Sequence, residues 1–173
     1  MICPFCDHTN IDGVDLCLQC HASLADLRGN DDAHGLEHAL LHQPLSELIA
    51  DNHDYVEIAP DLTLGEAVVK LNESRRHCAV VVSEGTVVGI LTERDLLGKV
   101  ANRFGECAGE PVSVFMTPDP ATLHSDDAIA FGLNQMMVGG YRHIPIVDDH
   151  RLVGMVSVRD ILGAVAGHAE AAA

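Results

Sequence analysis

A repeated stretch of twenty residues constrains this chain more than any other feature. Residues 78–97, CAVVVSEGTVVGILTERDLL, and residues 143–162, HIPIVDDHRLVGMVSVRDIL, each read as two apolar runs around a short polar turn. Both end in Gly-x-x-Thr or Gly-x-x-Ser, followed by x-Arg-Asp and two aliphatic residues, and they align without a gap at an offset of 65 residues. A duplicated unit usually cannot bury its apolar face alone, so we expect the two copies to pack on each other.

Each copy predicts the element order β-α-β-β-α. Residues 78–83 are apolar up to the final serine, which predicts a strand buried on both faces, and Glu84-Gly85 predicts a tight turn. Thr92 and Ser157 are predicted to cap the helices that follow the third strand of each copy. The other predicted elements are strands at 56–59, 87–91, 121–123, 143–147 and 152–156 and helices at 64–71, 93–101, 125–138 and 158–165, with a helical turn at 111–116.

Four cysteines near the amino terminus predict a metal site. Cys3 and Cys6, and Cys17 and Cys20, form two Cys-x2-Cys pairs separated by ten residues. Each pair places two thiolates on one tight turn, and four thiolates complete a tetrahedral shell that suits Zn²⁺, with iron as the less favoured metal. Disulfides are the alternative, but a chain of the reducing cytoplasm favours metal binding. The segment is too short for a core of its own, so a metal would supply its folding energy.

Composition and charge limit where this protein is expected to be located and what it is expected to bind. Apolar residues make up 47% of the 173 residues, the formal net charge is -16, and no apolar run reaches the roughly 18 residues of a membrane span. The chain begins MICPFC, which is unlike a signal peptide, and we expect a cytoplasmic protein without a membrane partner. This negative charge argues against electrostatic binding of nucleic acid over a broad surface. Five of the nine Lys and Arg residues after residue 41 nevertheless fall at equivalent strand ends, which suggests a local anion pocket: Arg75, Arg76, Arg94, Arg142 and Arg159.

These motifs resemble two known families. Residues 1–24 resemble the short zinc ribbons, which share Cys-Pro-x-Cys, Asn10, Gly13 and the second Cys-x2-Cys pair. About 120 residues, 45–166, resemble a tandem pair of CBS domains, through the β-α-β-β-α order, the sequence His-Ile-Pro-Ile-Val around Pro145, and both Gly-x-x-Thr/Ser-x-x-Asp endings. The predicted fold class is therefore α/β. Its predicted domains are a zinc ribbon (1–24), a linker and helix (25–44), two CBS domains (45–105 and 106–168) and a tail (169–173).

The CBS resemblance implies a ligand site. Modules of this family commonly bind an adenosine-containing ligand, such as AMP, ADP, ATP or S-adenosylmethionine, in clefts between the repeats. The hydroxyls of Thr92 and Ser157 lie at strand-to-helix junctions, where free backbone N–H groups favour an anion. Asp95 and Asp160, one helical turn later, are placed to accept from ribose hydroxyls. In similar modules a basic pair before Ile-Pro reaches the phosphate, a role that falls here to Arg142 and His143, with Arg159 and Arg94 as further phosphate candidates.

Several alternatives remain open from the sequence. The hydroxyl and carboxylate pairs can be helix caps alone, and the first copy has Val80 where the second has Pro145, so one or two ligand sites are possible. Cys78 and Cys107 are read as ordinary thiols. His34, His38 and His42 share one helix face and are read as solvated rather than as a second metal site.

Three functions compete. The first is a non-enzymatic regulatory protein that senses an adenosine-containing ligand, contacts an unknown protein partner through its ribbon and forms a homodimer through its CBS module, as the resemblance implies. The second is a regulator whose ribbon binds nucleic acid, against which residues 1–41 contain one basic residue and seven acidic ones. The third is an enzyme, which the sequence disfavours because we find no nucleophile with an adjacent base and no glycine-rich phosphate loop.

Overall fold

The computed structural model describes residues 1–11, 14–24, 43–49, 55–74 and 77–171. The predictions for the linker, for the three histidines at 34, 38 and 42, for Gly13 and for Arg75 and Arg76 lie outside these residues. The chain forms two compact units. We call Asp51–Ser125 with His143–Val156 the sheet unit, and Met1–Ala50 with Asp126–Arg142 and Ser157–Ala173 the ribbon-helix unit.

The described elements follow the predicted order in the first copy, whereas the second copy has a single bridge in place of its first strand. In chain order they are α1 (Ser46–Ile49), β1 (Val56–Ile58), α2 (Leu64–Ser74), β2 (Cys78–Ser83), β3 (Thr86–Thr92), α3 (Glu93–Asp95, continuing as a π-helical stretch Leu96–Val100), α4 (Phe104–Cys107), a 3-10 turn (Val112–Val114), β4 (Thr117–Pro118), α5 (Ile129–Gly139), β5 (His143–Asp148), β6 (Arg151–Ser157) and α6 (Val158–Ala171). The last helix continues beyond the predicted end at residue 165.

The larger sheet of the sheet unit has the order β1-β2-β3-β4. Strand β1 pairs parallel with β2, while β2 and β3 form an antiparallel hairpin. Its turn is the predicted one, with positive φ at Glu84 (51°) and Gly85 (82°), a geometry that matches the twist of a two-residue hairpin. The short strand β4, which the sequence analysis missed, pairs with Gly89 and Ile90 of β3.

Strand β2 is buried on both faces, as its apolar run predicted. Ala79 and Val81 belong to a core cluster with Leu64 and Leu71 of α2, where apolar positions recur at helical spacing. Cys78 and Val80 point to the opposite face and join a second cluster with Ile90 and Met155. Because Met155 lies in β6, the second cluster connects the larger sheet with the β5-β6 hairpin inside the sheet unit.

The second hairpin repeats the first with a different turn sequence. Strands β5 and β6 form a two-stranded sheet, and Asp149 and His150 between them both have positive φ, 47° and 64°. Asp and His tolerate the left-handed region better than branched residues do, so the turn forms without glycine. The predicted strand at 121–123 is reduced to a single parallel bridge between Leu123 and Ile146.

The prediction that Ser125 caps the fifth helix is wrong. Helix α5 begins at Ile129, with Ala128 as its N-cap, and the backbone N–H of Ser125 instead donates to Asp148 Oδ1 at 3.0 Å. The first copy shows the reason, because Thr63 stands 65 residues before Ala128 and accepts from Glu66 N at 3.3 Å. The second copy thus keeps the helix start but loses the capping hydroxyl. The predicted end of α5 is confirmed, with Gly140 left-handed at φ 68°.

The ribbon-helix unit opens with two similar turns, each carrying one Cys pair. Each turn is closed by a single antiparallel bridge, Ile2 with Thr9 and Leu16 with Ser23. The unit also contains α1, α5 and α6, and the backbone N–H of Leu45 donates to Asp127 O at 2.8 Å just before α5. The side-chain amide of Asn134 in α5 donates to Phe5 O at 3.2 Å, which attaches the first turn to this helix.

Among the described residues, no helix combines the length and the apolar character needed to cross a bilayer.

Candidate functional site

The sulfurs of the four cysteines near the amino terminus converge. Their Sγ atoms all lie within 4.8 Å of one another, with 3.7 Å between Cys3 and Cys20 and 3.5 Å between Cys6 and Cys17. A disulfide would need about 2.05 Å, and all four are free thiols. A tetrahedral site with Zn–S bonds of about 2.3 Å places its sulfurs about 3.8 Å apart. The geometry therefore fits a four-coordinate metal ion, and the donor set of four thiolates suits zinc.

Backbone N–H groups point at two of these sulfurs. Phe5 N donates to Cys3 Sγ and Gln19 N donates to Cys17 Sγ, each at 3.4 Å. Asp7 and His21 follow the second cysteine of each pair with φ of 55° and 59°, so the two turns have the same backbone course. Donors aimed at sulfur stabilise its thiolate form, which is the form that binds a metal.

Asn10 links the two turns from the inside. It is 4% exposed, and its Nδ2 donates to His8 O at 2.9 Å and to Cys17 Sγ at 3.5 Å. Its Oδ1 accepts from Leu18 N at 2.9 Å. The sequence analysis gave Asn10 only as a part of the ribbon pattern. The structure adds a contact to a ligand sulfur and bonds to both turns.

The thiols differ in acidity. Burial raises the pKa of Cys3 to about 12. At Cys17 burial also opposes ionisation, but hydrogen bonds from the backbone of Cys20 and Gln19 and from Asn10 outweigh it and lower the pKa to about 5. The hydrogen bonds around Cys17 therefore favour its thiolate state.

The first strand-to-helix junction contains a closed capping box in the sheet unit. Thr92 Oγ1 and N donate to Asp95 Oδ2 at 2.7 and 3.0 Å. The other carboxylate oxygen, Oδ1, accepts from Thr117 Oγ1 at 2.9 Å and pairs with Lys99 Nζ at 2.9 Å. Asp95 is only 8% exposed. Burial alone would raise its pKa, but the bonds from Lys99, Thr92 and Thr117 outweigh burial and hold that pKa below its usual range.

The Lys99 ammonium group uses all three of its hydrogen-bond donors at this junction. Besides Asp95, its Nζ donates to Phe115 O at 2.7 Å and to Met116 O at 3.2 Å. An ammonium group has three donors, and here each has an acceptor. Neither Lys99 nor Thr117 was among the predicted site residues. The spacing of Asp95 and Lys99, four residues on one helix, was a signal that sequence reasoning could have used.

The second junction has the same capping box in the ribbon-helix unit. Ser157 Oγ and N donate to Asp160 Oδ2, each at 2.6 Å, and Asp160 N donates to Ser157 Oγ at 3.4 Å. Ser157, at the end of β6, and Asp160, in the first turn of α6, are both half-buried. The residue that corresponds to Lys99 is Ala164, which has a methyl side chain.

The predicted basic residues lie beside the second junction. The backbone carbonyl of Arg142 accepts from Val158 N at 3.0 Å, which fixes Arg142 next to the first residue of α6. Its side chain and that of Arg159 are exposed, while His143, the first residue of β5, is half-buried. The first copy has the matching bond, from Glu93 N to His77 O at 3.2 Å. The two junctions thus share one backbone geometry with different side chains.

Comparison with known proteins covers the repeated part of the chain. The family model for the CBS domain matches residues 45–102 and 112–167. A 17.7 kDa protein of Acidianus ambivalens is 35% identical over 119 residues, 68% of this chain and 70% of that protein. A CBS domain-containing protein of Arabidopsis thaliana is 30% identical over 124 residues, 71% of this chain, and the match spans only 23% of its length.

Solved structures agree with the fold. A CBS domain protein of Pyrobaculum aerophilum, solved in complex with AMP, is 26% identical with a TM-score of 0.62, covering 72% of this chain and 98% of that one. A CBS domain pair in complex with 5′-methylthioadenosine and S-adenosylmethionine shares the fold at 23% identity and a TM-score of 0.63, with 72% and 97% covered. Two family matches within one chain, on the observed repeat, show that this protein belongs to the CBS-domain family and carries two copies of the domain.

Proposed function

We propose that this protein is a non-enzymatic regulator whose CBS pair binds an adenosine-containing ligand: AMP, ADP, ATP or S-adenosylmethionine. The observation that carries the proposal is the second junction, where a hydroxyl, a carboxylate and an arginine gather at the start of a 14-residue helix. The positive end of the helix dipole favours a phosphate or carboxylate group at this position. A CBS relative with 26% identity, solved in complex with AMP, supports the same class of ligand.

Each residue of the second junction has a role in this proposal. Arg142, with Arg159 beside it, attracts the phosphate or another charged group of the ligand. On ligand binding the Ser157 hydroxyl turns from Asp160 Oδ2 to the same group, and the Asp160 carboxylate accepts from the ribose. His143 follows Arg142 directly and adds a second ring donor. This assignment contains no bond-breaking group, so ligand binding acts through a change in the population of conformations rather than through chemistry.

Two variants test the ligand site. Arg142→Ala and Asp160→Asn are each expected to weaken AMP or S-adenosylmethionine binding at least tenfold, measured by the ligand-induced rise in melting temperature and by calorimetry. Arg151→Ala is the matched control, because Arg151 is also an exposed arginine but opens β6 at the hairpin turn. Unchanged affinity in both junction variants, with the fold intact by circular dichroism, would overturn the assignment.

The ribbon is proposed to hold one structural zinc ion on Cys3, Cys6, Cys17 and Cys20. Four thiolate ligands leave no open position for a substrate, so the metal stabilises the turns and performs no catalysis. Purified protein should contain about one zinc per chain by elemental analysis, and Co²⁺ in its place should give the visible spectrum of a tetrahedral thiolate site. A Cys17→Ser variant that keeps full zinc content would contradict the assignment.

The ribbon and the helices are proposed as contact surfaces. Ile2, Leu16 and Leu18 are more than half exposed on the ribbon, which supports a role in binding a protein partner. Described residues 1–11 and 14–24 contain no Lys or Arg, a composition that argues against nucleic acid as the partner.

We propose a homodimer formed through the CBS module in the cytoplasm. Light scattering of the purified chain would show twice the monomer mass, and a monomer at micromolar concentration would contradict the dimer.

A further inference from the structure

We infer that the first junction, around Thr92 and Asp95, is a structural clamp that takes no ligand, so that each chain binds one adenosine-containing ligand rather than two. The inference rests on the proposed function and assigns the site to one copy of the repeat. It is carried by the filled acceptor positions of Asp95 and by a difference in charge between the copies.

The acceptor positions of the Asp95 carboxylate are filled. A carboxylate has about four acceptor positions, and Asp95 uses four: two for the N–H and hydroxyl of Thr92, one for Thr117 and one for Lys99. A ribose that binds to this carboxylate needs acceptor positions for its hydroxyls. It would have to displace Thr117 or Lys99 from a group that is 8% exposed.

Displacement of Lys99 would have further consequences. Its ammonium also binds the backbone carbonyls of Phe115 and Met116, and thereby ties helix α3 to the segment between the 3-10 turn and β4. Phe115 is 2% exposed and belongs to the main core cluster of the sheet unit. Opening the carboxylate would therefore take a charged partner or a hydroxyl from a group that is 8% exposed, which costs more than breaking the same bond at the surface.

The two copies differ in charge at the helix start. At the first junction, Glu93 is the first residue of the helix, and its Oε1 lies 2.7 Å from His77 Nδ1. The residues 65 positions later are Val158 and Arg142. A phosphate that approaches the first helix end meets the carboxylate of Glu93, whereas the second copy has the apolar Val158 at that position and Arg142 in place of His77. Repulsion from Glu93 thus disfavours an anion at the first junction more than at the second.

The test is equilibrium dialysis with AMP and, separately, with S-adenosylmethionine, on the zinc-loaded full chain. Wild type should saturate at about one ligand per chain. Asp95→Asn should keep the dissociation constant within about twofold, whereas Asp160→Asn should raise it at least tenfold. Thr117→Val serves as a second clamp variant if Asp95→Asn does not fold, and it too should bind AMP as wild type does.

The outcomes distinguish a failure of this inference from a failure of the proposed ligand-binding function. Saturation at two ligands per chain, or a tenfold loss of affinity in Asp95→Asn, would overturn the clamp while the ligand-binding function stands. A loss of affinity in Thr117→Val of the same size would do so as well. If neither AMP nor S-adenosylmethionine binds folded wild type at millimolar concentration, the proposed function fails and the inference fails with it.

Discussion

The side-chain amide of Asn10 lies 3.5 Å from Cys17 Sγ and donates to that sulfur. Cys17 thus receives N–H donors from the backbone of Gln19 and from a buried side chain on the other turn. A neighbour of this kind orients a ligand and stabilises its charged form, although it does not touch the metal. Asn10 is therefore a positioning residue for the proposed zinc site.

Asn10→Ala should lower the affinity for zinc by roughly 10- to 100-fold, the range found when partners of metal ligands are removed. The reason is the loss of three hydrogen bonds that join the turns and support the Cys17 thiolate. Competition with a chromogenic chelator measures the affinity, and the charge-transfer bands of the Co²⁺ form should shift as well. Asn72→Ala, at an exposed position of α2, is the control. Equal affinities and spectra in both variants would remove the positioning role.

The amino-terminal cysteine turns and the first hairpin turn follow from local sequence. The contacts that strand β4 makes at the first junction do not. The Cys-x2-Cys pairs and the Glu84-Gly85 turn act over a few residues, so their patterns predicted the structure correctly. Strand β4 is only Thr117-Pro118 and has no apolar pattern to reveal it. The bond from Thr117 to Asp95 joins residues 22 apart and depends on how β4 pairs with β3.

The difference in helix capping between the copies predicts a pair of opposite stability effects. Thr63→Ala should lower the free energy of unfolding by about 1 kcal/mol, because Thr63 and Glu66 form a reciprocal capping box at the start of α2. Ala128→Ser should raise it by up to about 1 kcal/mol, because Ala128 already has the extended backbone of an N-cap, φ -68° and ψ 145°. Urea denaturation measures both changes.

Ala121→Ser, at an exposed position without helical structure, is the control for the added hydroxyl. A gain of equal size at residue 121 would show that the effect at residue 128 is not capping. If Thr63→Ala leaves the free energy of unfolding unchanged, Thr63 does not stabilise α2 as its cap.

Asp95 should make the stability of the protein depend on acid pH. Its pKa is lower in the folded state than the unfolded value of about 3.9. Its contribution is therefore complete above that unfolded pKa and is lost as the pH falls through the lower folded pKa. At pH 7, Asp95→Asn should be less stable than wild type by about 2 kcal/mol, since hydrogen bonds to a charged group are lost.

The difference between wild type and Asp95→Asn should shrink as the pH is lowered from 5 to 2. Urea unfolding of both proteins at each pH measures it, and the loss of metal in acid affects the two alike. A difference that stays constant or grows toward low pH would contradict the role of the ionised carboxylate.

Cys78 and Cys107 should be inert thiols in the folded protein. Burial, and next the charge of Asp95, raise the pKa of Cys78 to about 12, so almost no thiolate is present at pH 7. Cys78 Sγ lies 3.4 Å from Met155 Sδ inside the core between β2 and β6, and Cys107 is 2% exposed. A thiol reagent followed by mass spectrometry should label neither residue until the protein unfolds. Rapid labelling of Cys78 in native protein would show that this core opens.

The central claim is that the CBS pair of this chain is a sensor of an adenosine-containing ligand. Isothermal titration of the zinc-loaded protein with AMP, ADP, ATP and S-adenosylmethionine in turn tests it most directly. We predict saturable heat with at least one of the four, at micromolar affinity and about one ligand per chain. No heat with any of them, on protein shown to be folded, would contradict the sensor function and leave the module as a structural or protein-binding element.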